Sequence, residues 1–285
     1  MRTTTVDVGV PVTLRSWGDG TRPVLFLHAM GPVSSGAMAG VGVGPLVEAG
    51  FAVTAPDLPG YADTASLAAD DYELTRLAGW MWEVVDAAGL HEATLVGHSW
   101  GGAIACHMTA AQPDRVDALV LVDSGHLDYA DVLGDDLALS LDDWIERARS
   151  RRLQVPDVAA LAAELELEAD DPLLDLLLVG MEYDSGAMSS RVRPDGQGAA
   201  LYHLARARQS ETWSAIADAA TPTLFLLATV PEQARAQNVE AAQRVRDALP
   251  RADVRLVPDA THSLVTDLRD DFGRIVADWL QTAVR

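Results

Sequence analysis

The stretch Gly97-His98-Ser99-Trp100-Gly101-Gly102 decides the reading of this chain. A short apolar run at 93–96 precedes it, and a helical pattern at 103–111, stopped by Pro113, follows it. The whole reads as Gly-x-Ser-x-Gly set between a strand and a helix. A turn that sharp forces strained dihedrals on its central residue, and side chains on either flank would collide. Glycine at positions 97 and 101 removes them. Ser99 is then expected to stand out at the carboxyl edge of a sheet, with a helix N-terminus behind it that favours developing negative charge.

Working outward, apolar runs at 24–27, 52–54 and 118–122 read as further buried strands bounded by turn residues. A helix is expected at 74–88, where Leu74, Leu77, Ala78, Met81, Val84 and Val85 recur at three-to-four spacing. Alternation of strand and helix predicts a mostly parallel sheet covered on both faces. From about 131 to 213 the pattern turns helical, acidic and irregular, with helices expected at 141–152, 158–168 and 173–181 and no convincing strand. Sheet-like runs resume at 223–227 and 254–257, and a last helix is expected at 272–284. The expected architecture is one α/β core domain, residues 1–125 and 216–285, interrupted by a helical cap at 126–215. There is no internal repeat and no low-complexity linker. Gly40-Val-Gly42-Val-Gly44 lacks the Gly-Lys-Ser/Thr of a phosphate-binding loop.

Composition narrows the function classes. In 285 residues the apolar fraction is 49% and the charged fraction 22%, which excludes a disordered or fibrous chain. Forty-two acidic residues face 21 basic ones, all of them Arg, for a net charge of −21. Nucleic acid and anionic membranes are disfavoured partners for such a field. Cys106 is alone, so neither an intramolecular disulfide nor a Cys-pair zinc site can form. Met1-Arg-Thr-Thr-Thr-Val-Asp has no apolar stretch behind a basic end, and no apolar run reaches about 18 residues. A cytoplasmic protein is the default expectation, and the oligomeric state, monomer or homodimer, stays open.

Five motifs in order, Leu27-His28-Ala29-Met30-Gly31, Ala55-Pro56-Asp57-Leu58-Pro59-Gly60, the bend at Ser99, Leu119-Val-Leu-Val-Asp123 and Ala260-Thr261-His262-Ser263, resemble the α/β-hydrolase superfamily over nearly the whole chain. A serine hydroxyl needs a base that takes its proton and returns it to the leaving group. Of the seven histidines, the resemblance implies His262, which follows the strand at 254–257 and precedes the last helix. His28 matches a loop-support position of the family, and His98 is expected to pack within the bend as a structural residue. His91, His107, His126 and His203 are expected on the surface, in the core or in the cap, with His126 or His203 able to touch substrate.

The resemblance also implies an acid near the carboxyl end of a strand, to orient the imidazole. The usual place is the loop after 223–227, where Pro231 takes the expected Asp position and Glu232 lies one residue on. Some members put the acid one strand earlier, which here is Asp123. The reading takes Asp123, with Glu232 as the alternative and Asp128 behind both. An oxyanion hole is implied from the N–H groups of Met30 and Trp100. Ala29 stands where the family usually has Gly, which puts the geometry of the Met30 donor in question.

Asp57 reads as a turn anchor. Arg147, Arg149, Arg151 and Arg152 form a local basic cluster. It reads as a helix face paired with acids such as Asp142, Asp143 and Glu146, or else as a clamp for an anionic acyl or carrier group. Met181, Tyr183, Met188, Tyr202 and Trp213 are expected to roof the site. The resulting expectation is a cofactor-free and metal-free serine hydrolase acting on an ester, lactone or thioester of a small apolar substrate. The alternatives are lyase, C–C cleavage, cyclisation or perhydrolysis chemistry on the same fold, or a ligand-binding receptor.

Overall fold

The computed structural model describes residues 1–184 and 186–284. Among them the strands run β1 (Arg2–Asp7), β2 (Pro11–Trp17), β3 (Arg22–Leu27), β4 (Phe51–Pro56), β5 (Ala93–His98), β6 (Val116–Val122), β7 (Gln154–Val155), β8 (Met181–Asp184), β9 (Ala187–Ser190), β10 (Thr223–Leu227) and β11 (Ala252–Leu256). Eight form the central sheet in the order β1-β2-β4-β3-β5-β6-β10-β11. From β4 to β11 every neighbouring pair is parallel, and β1 and β2 add antiparallel strands at one edge.

Parallel strands bury both faces, so their residues alternate between two cores. Leu25, Leu27, Leu95, Leu119, Leu121 and Phe225 pack on one face, against helices Leu74–Ala87, Trp100–Ala111 and Glu232–Ala248. Val24, Phe26, Val96, Val120, Val122 and Leu226 pack on the other, against Leu46, Phe272, Val276 and Leu280. The expected α/β architecture is therefore the one observed.

Two features depart from the expectations. The strands β1 and β2 have no counterpart among the expected apolar runs. Most of β1 is exposed, and β2 buries Thr13 and Arg15 in alternation with Val12 and Leu14, so neither reads as a plain apolar run. The inserted segment, expected to be all helical, also holds a three-stranded antiparallel sheet, β7-β9-β8. The helix expected at 173–181 stops at Leu177, a single 3-10 turn follows, and Met181 opens β8. Strands of two to four residues are too short for their period to register in sequence. Gly180 sits against the Val33 carbonyl, where any Cβ would collide. That contact joins the inserted sheet to the loop after β3.

Asp57 does anchor a turn. Its carboxylate pairs with Arg15 of β2, and it accepts the N–H of Gly36 (2.7 Å) and of Asp63 (3.4 Å). Asp57 is fully buried and Arg15 is 3% exposed. Removing one partner of such a pair strands the other charge without solvent. We expect Arg15→Leu to lower the unfolding free energy by about 3–5 kcal/mol, read from denaturant midpoints. Arg274→Ala, which breaks the exposed pair with Asp271, should leave the midpoint unmoved. Equal effects would refute the assignment.

Candidate active site

The site is built at one edge of the sheet by register alone. The last residue of β5, His98, pairs with Val122 at the end of β6, which in turn pairs with Leu226 near the end of β10. Ser99 and Asp123, which follow these strand ends, emerge side by side, and Ala228 follows the last residue of β10, Leu227. The Ser99 N–H donates to Val122 O at 3.0 Å, and the Asp123 N–H to Leu226 O at 2.7 Å.

Ser99 has φ 54 and ψ −118, a region that residues with a side chain rarely enter. Close packing holds it there. A Cβ on Gly97 would come within 2.5 Å of Gly101 O, and one on Gly101 would run into the backbone of Leu27. Gly102 lies against Ser124, whose hydroxyl donates to Ser99 O at 2.5 Å. Asp123 is also held at positive φ (44°), and its carboxylate meets His262.

His262 bridges the two. Its Nε2 accepts from Ser99 Oγ at 2.9 Å, and its Nδ1–H donates to Asp123 Oδ2 at 2.6 Å. The second carboxylate oxygen accepts from the N–H of Ala228 (2.9 Å) and from Asn238 Nδ2 (3.1 Å). Burial by itself would raise the Asp123 pKa. The hydrogen bonds from His262 and Ala228, with the neighbouring imidazoles, outweigh it and hold the carboxyl below its usual range. Glu232 takes no part. Its side chain is 82% exposed at the start of Glu232–Ala248 and pairs with Arg235. Asp128 instead accepts from the N–H and hydroxyl of Ser210 at 2.9 and 2.6 Å.

The remaining histidines sort by contact. His98, expected as a purely structural residue of the bend, donates Nε2–H to the carbonyl of His262 at 2.7 Å and so ties the bend to the histidine loop. His28 donates Nδ1–H to Ala29 O and accepts the Leu58 N–H on Nε2. Burial drives both pKa values down to about 4, so both rings stay neutral at physiological pH. His126 touches no cavity above Ser99. It is buried behind Asp123, where Nε2–H donates to Asn238 Oδ1 at 2.8 Å. That bond turns the amide of Asn238 so that its NH₂ faces Asp123. His203 contacts Ala69 O, also away from the cavity. Asn238 went unmarked in the sequence because it lies mid-helix with no local motif, and only folding brings it to Asp123.

Ala29 keeps a negative φ, so alanine in place of the usual glycine adds no strain there. Among the described residues the N–H groups of Met30 and Trp100 have no protein acceptor. Met30 lines the cavity over Ser99, and Trp100 opens the helix directly behind it. The cavity holds about 540 Å³ and also touches Tyr129, Val192, Leu201 and Leu204. A second space of about 750 Å³ lies beside the loop after β3 and reaches His262 but not Ser99.

The expected roof is not the observed one. Met181 and Met188 pack with Val33 and Leu161 in a separate small core, Tyr183 is 70% exposed, and Trp213 donates to Gly125 O. Tyr202 lies beneath the Arg206 guanidinium. An apolar residue in the inserted segment can serve its own packing as readily as the cavity, and sequence does not distinguish the two.

The lowered pKa of Asp123 makes its ionised form a stabiliser. The contribution is complete above the carboxyl's ordinary value of 3.8 and is lost as pH falls below it. Between about pH 6 and about pH 3, the native protein should lose more unfolding free energy than Asp123→Asn. Parallel losses in denaturant titrations would contradict this.

Comparison with known proteins gives the same fold. Residues 22–267 match the alpha/beta hydrolase fold family. The dihydrolipoyllysine-residue acetyltransferase component of the acetoin cleaving system of Cupriavidus necator is 28% identical over 274 residues, 94% of this chain and 66% of that protein. A 2-hydroxy-6-oxononadienedioate/2-hydroxy-6-oxononatrienedioate hydrolase of Klebsiella pneumoniae is 33% identical over 115 residues, 40% of each chain. The chain thus spans less than two thirds of the length of these curated relatives. The enol-lactonase of Burkholderia xenovorans superposes with a TM-score of 0.71 at 20% identity, over 98% of this chain and 100% of the other. On the family match, the parallel sheet and the serine-bearing bend, this chain belongs to the alpha/beta hydrolase fold family.

Proposed function

We propose that this protein is a serine hydrolase that opens an ester, lactone or thioester of a small substrate through an acyl-enzyme. The observation that carries the reading is His262, which contacts the Ser99 hydroxyl with one ring nitrogen and the Asp123 carboxylate with the other. In the first half-reaction Ser99 Oγ bonds to the substrate carbonyl carbon and its proton passes to His262 Nε2. Asp123 keeps Nδ1 protonated and offsets the charge on the ring. The N–H groups of Met30 and Trp100 receive the oxyanion. The tetrahedral centre collapses, the bond to the alcohol or thiol breaks, and the leaving group takes the proton from Nε2. Water then attacks the acyl carbon, gives its proton to His262 and releases the acid, with the proton returned to Ser99. These steps call on no cofactor or metal.

A second reading uses the same groups on a carbon–carbon bond. It is favoured by the relatives named 2-hydroxy-6-oxononadienedioate hydrolase, whose named substrate contains no ester.

Turnover of p-nitrophenyl butyrate tests the first reading. Ser99→Ala should keep its circular dichroism spectrum and lose at least about a thousandfold in kcat/KM. Undiminished turnover would remove the nucleophile. For the acid, Asp123→Asn should cost about a thousandfold or more while Glu232→Gln stays near the native rate. The opposite ranking would move the acid to Glu232.

A further inference from the structure

The protein carries twice as many acids as bases, 42 against 21, yet among the described residues no Asp or Glu lines the cavity over Ser99. Three arginines line it instead: Arg147, Arg151 and Arg152. All come from the end of helix Leu141–Ser150 and the residues just after it. A helix C-terminus does favour cations, so the question is what each guanidinium is for.

The fold accounts for most of them. Arg147 makes two bonds to the Asp136 carboxylate, at 3.1 and 3.2 Å, and lies over the Trp144 ring. Arg152 donates to Ser190 O and to Glu182, which secures it to β8 and β9. Arg149, the fourth member of the cluster, pairs with Glu146 and does not line the cavity. Of the acids expected to pair with this cluster, Glu146 does so, while Asp142 and Asp143 make no ion pair with it and Asp143 instead caps its own helix through Ser140. Arg151 alone has no hydrogen-bond or ion-pair partner for its guanidinium among the described residues.

We propose that the cavity takes a substrate bearing a carboxylate, and that Arg151 is the residue that receives it. The proposal rests on the hydrolase reading for the fate of the substrate, but the anion site itself does not. A guanidinium presents a planar fork of donors that matches a carboxylate with two parallel bonds. Arg147 and Arg152 flank it, each held by its own acid, Asp136 and Glu182, and of these Asp136 also feels the Arg151 charge without bonding to it. Tyr129, Val192, Leu201 and Leu204 supply apolar wall in the same cavity as Arg151 and Ser99. The substrate is then an acyl compound with an apolar middle and an anionic end. The carboxylate can belong to the acyl part or to the leaving group.

Matched esters separate the two sources. p-Nitrophenyl hydrogen glutarate is compared with p-nitrophenyl butyrate for an acyl-side charge. 4-Carboxyphenyl butyrate is compared with 4-carbamoylphenyl butyrate for a leaving-group charge. In at least one pair the anionic member should have a kcat/KM about tenfold or more above its neutral partner. Arg151→Gln should erase most of that ratio, chiefly through KM, and Arg151→Lys should keep part of it. Arg151 is exposed, so both variants are expected to fold.

Binding of glutaranilate against butyranilide, followed by calorimetry, reads the same site without turnover. Tighter binding of the anion that is lost in Arg151→Gln supports the site even if no ester is cleaved, and in that case it is the hydrolase reading that fails. Cleavage of butyrate esters with no anionic preference in either pair overturns the carboxylate site and leaves the hydrolase reading intact. So does a preference that Arg151→Gln does not change.

Discussion

Everything at this site depends on the strained backbone at Ser99. A serine at positive φ is unfavourable by itself, and it persists because the chain around it has no room to relax. Gly97, Gly101 and Gly102 bring β5, the following helix and the ends of β3 and β6 into backbone contact. The Ser99 carbonyl is held from three sides, by the N–H groups of Gly102 and Ala103 and by the Ser124 hydroxyl. The strain is local, while the packing that holds it belongs to the whole centre of the sheet. Rigidity of this kind fixes a hydroxyl to within the tolerance that proton transfer needs.

The electrostatics follow from where the acid sits. Asp123 lies at the end of β6 and is 8% exposed, so desolvation opposes its charge. Three donors compensate, His262, the Ala228 N–H and Asn238, and His126 fixes the orientation of the Asn238 amide. His98 acts on the other partner, holding the His262 carbonyl from the serine side. Two histidines without the geometry of a base thus set the position of the one that has it. Burial disfavours the charged form of both.

The inserted segment adds a different kind of constraint. A close backbone contact of Gly180 on the Val33 carbonyl attaches it to the core, and Gly198 against Ile145 packs the segment on itself. Met181 and Met188 are spent on its own small core, and the cavity walls include Tyr129, Val192, Leu201, Leu204 and three arginines. Among the described residues the cavity over Ser99 is lined by three arginines and no acid, in a chain whose net charge is −21.

The sequence alone determined the parallel α/β fold, the interruption by an inserted segment, and the roles open to Ser99 and His262. These depend on local rules: apolar periodicity, and a glycine-flanked bend that tolerates only one residue order. The edge strands β1 and β2 and the small sheet escaped those rules because they are too exposed, too mixed or too short to carry a period. The choice between Asp123 and Glu232 was not local at all. Both carboxylates stand near strand ends, and only the register of β6 and β10, with positive φ at Asp123, turns one toward His262 and leaves the other in solvent. The same holds for Asn238 and Arg151. A residue's pairing partner is set by which elements pack together across more than a hundred residues of chain, as Asp123 and Asn238 do at a separation of 115, and no short pattern encodes that distance.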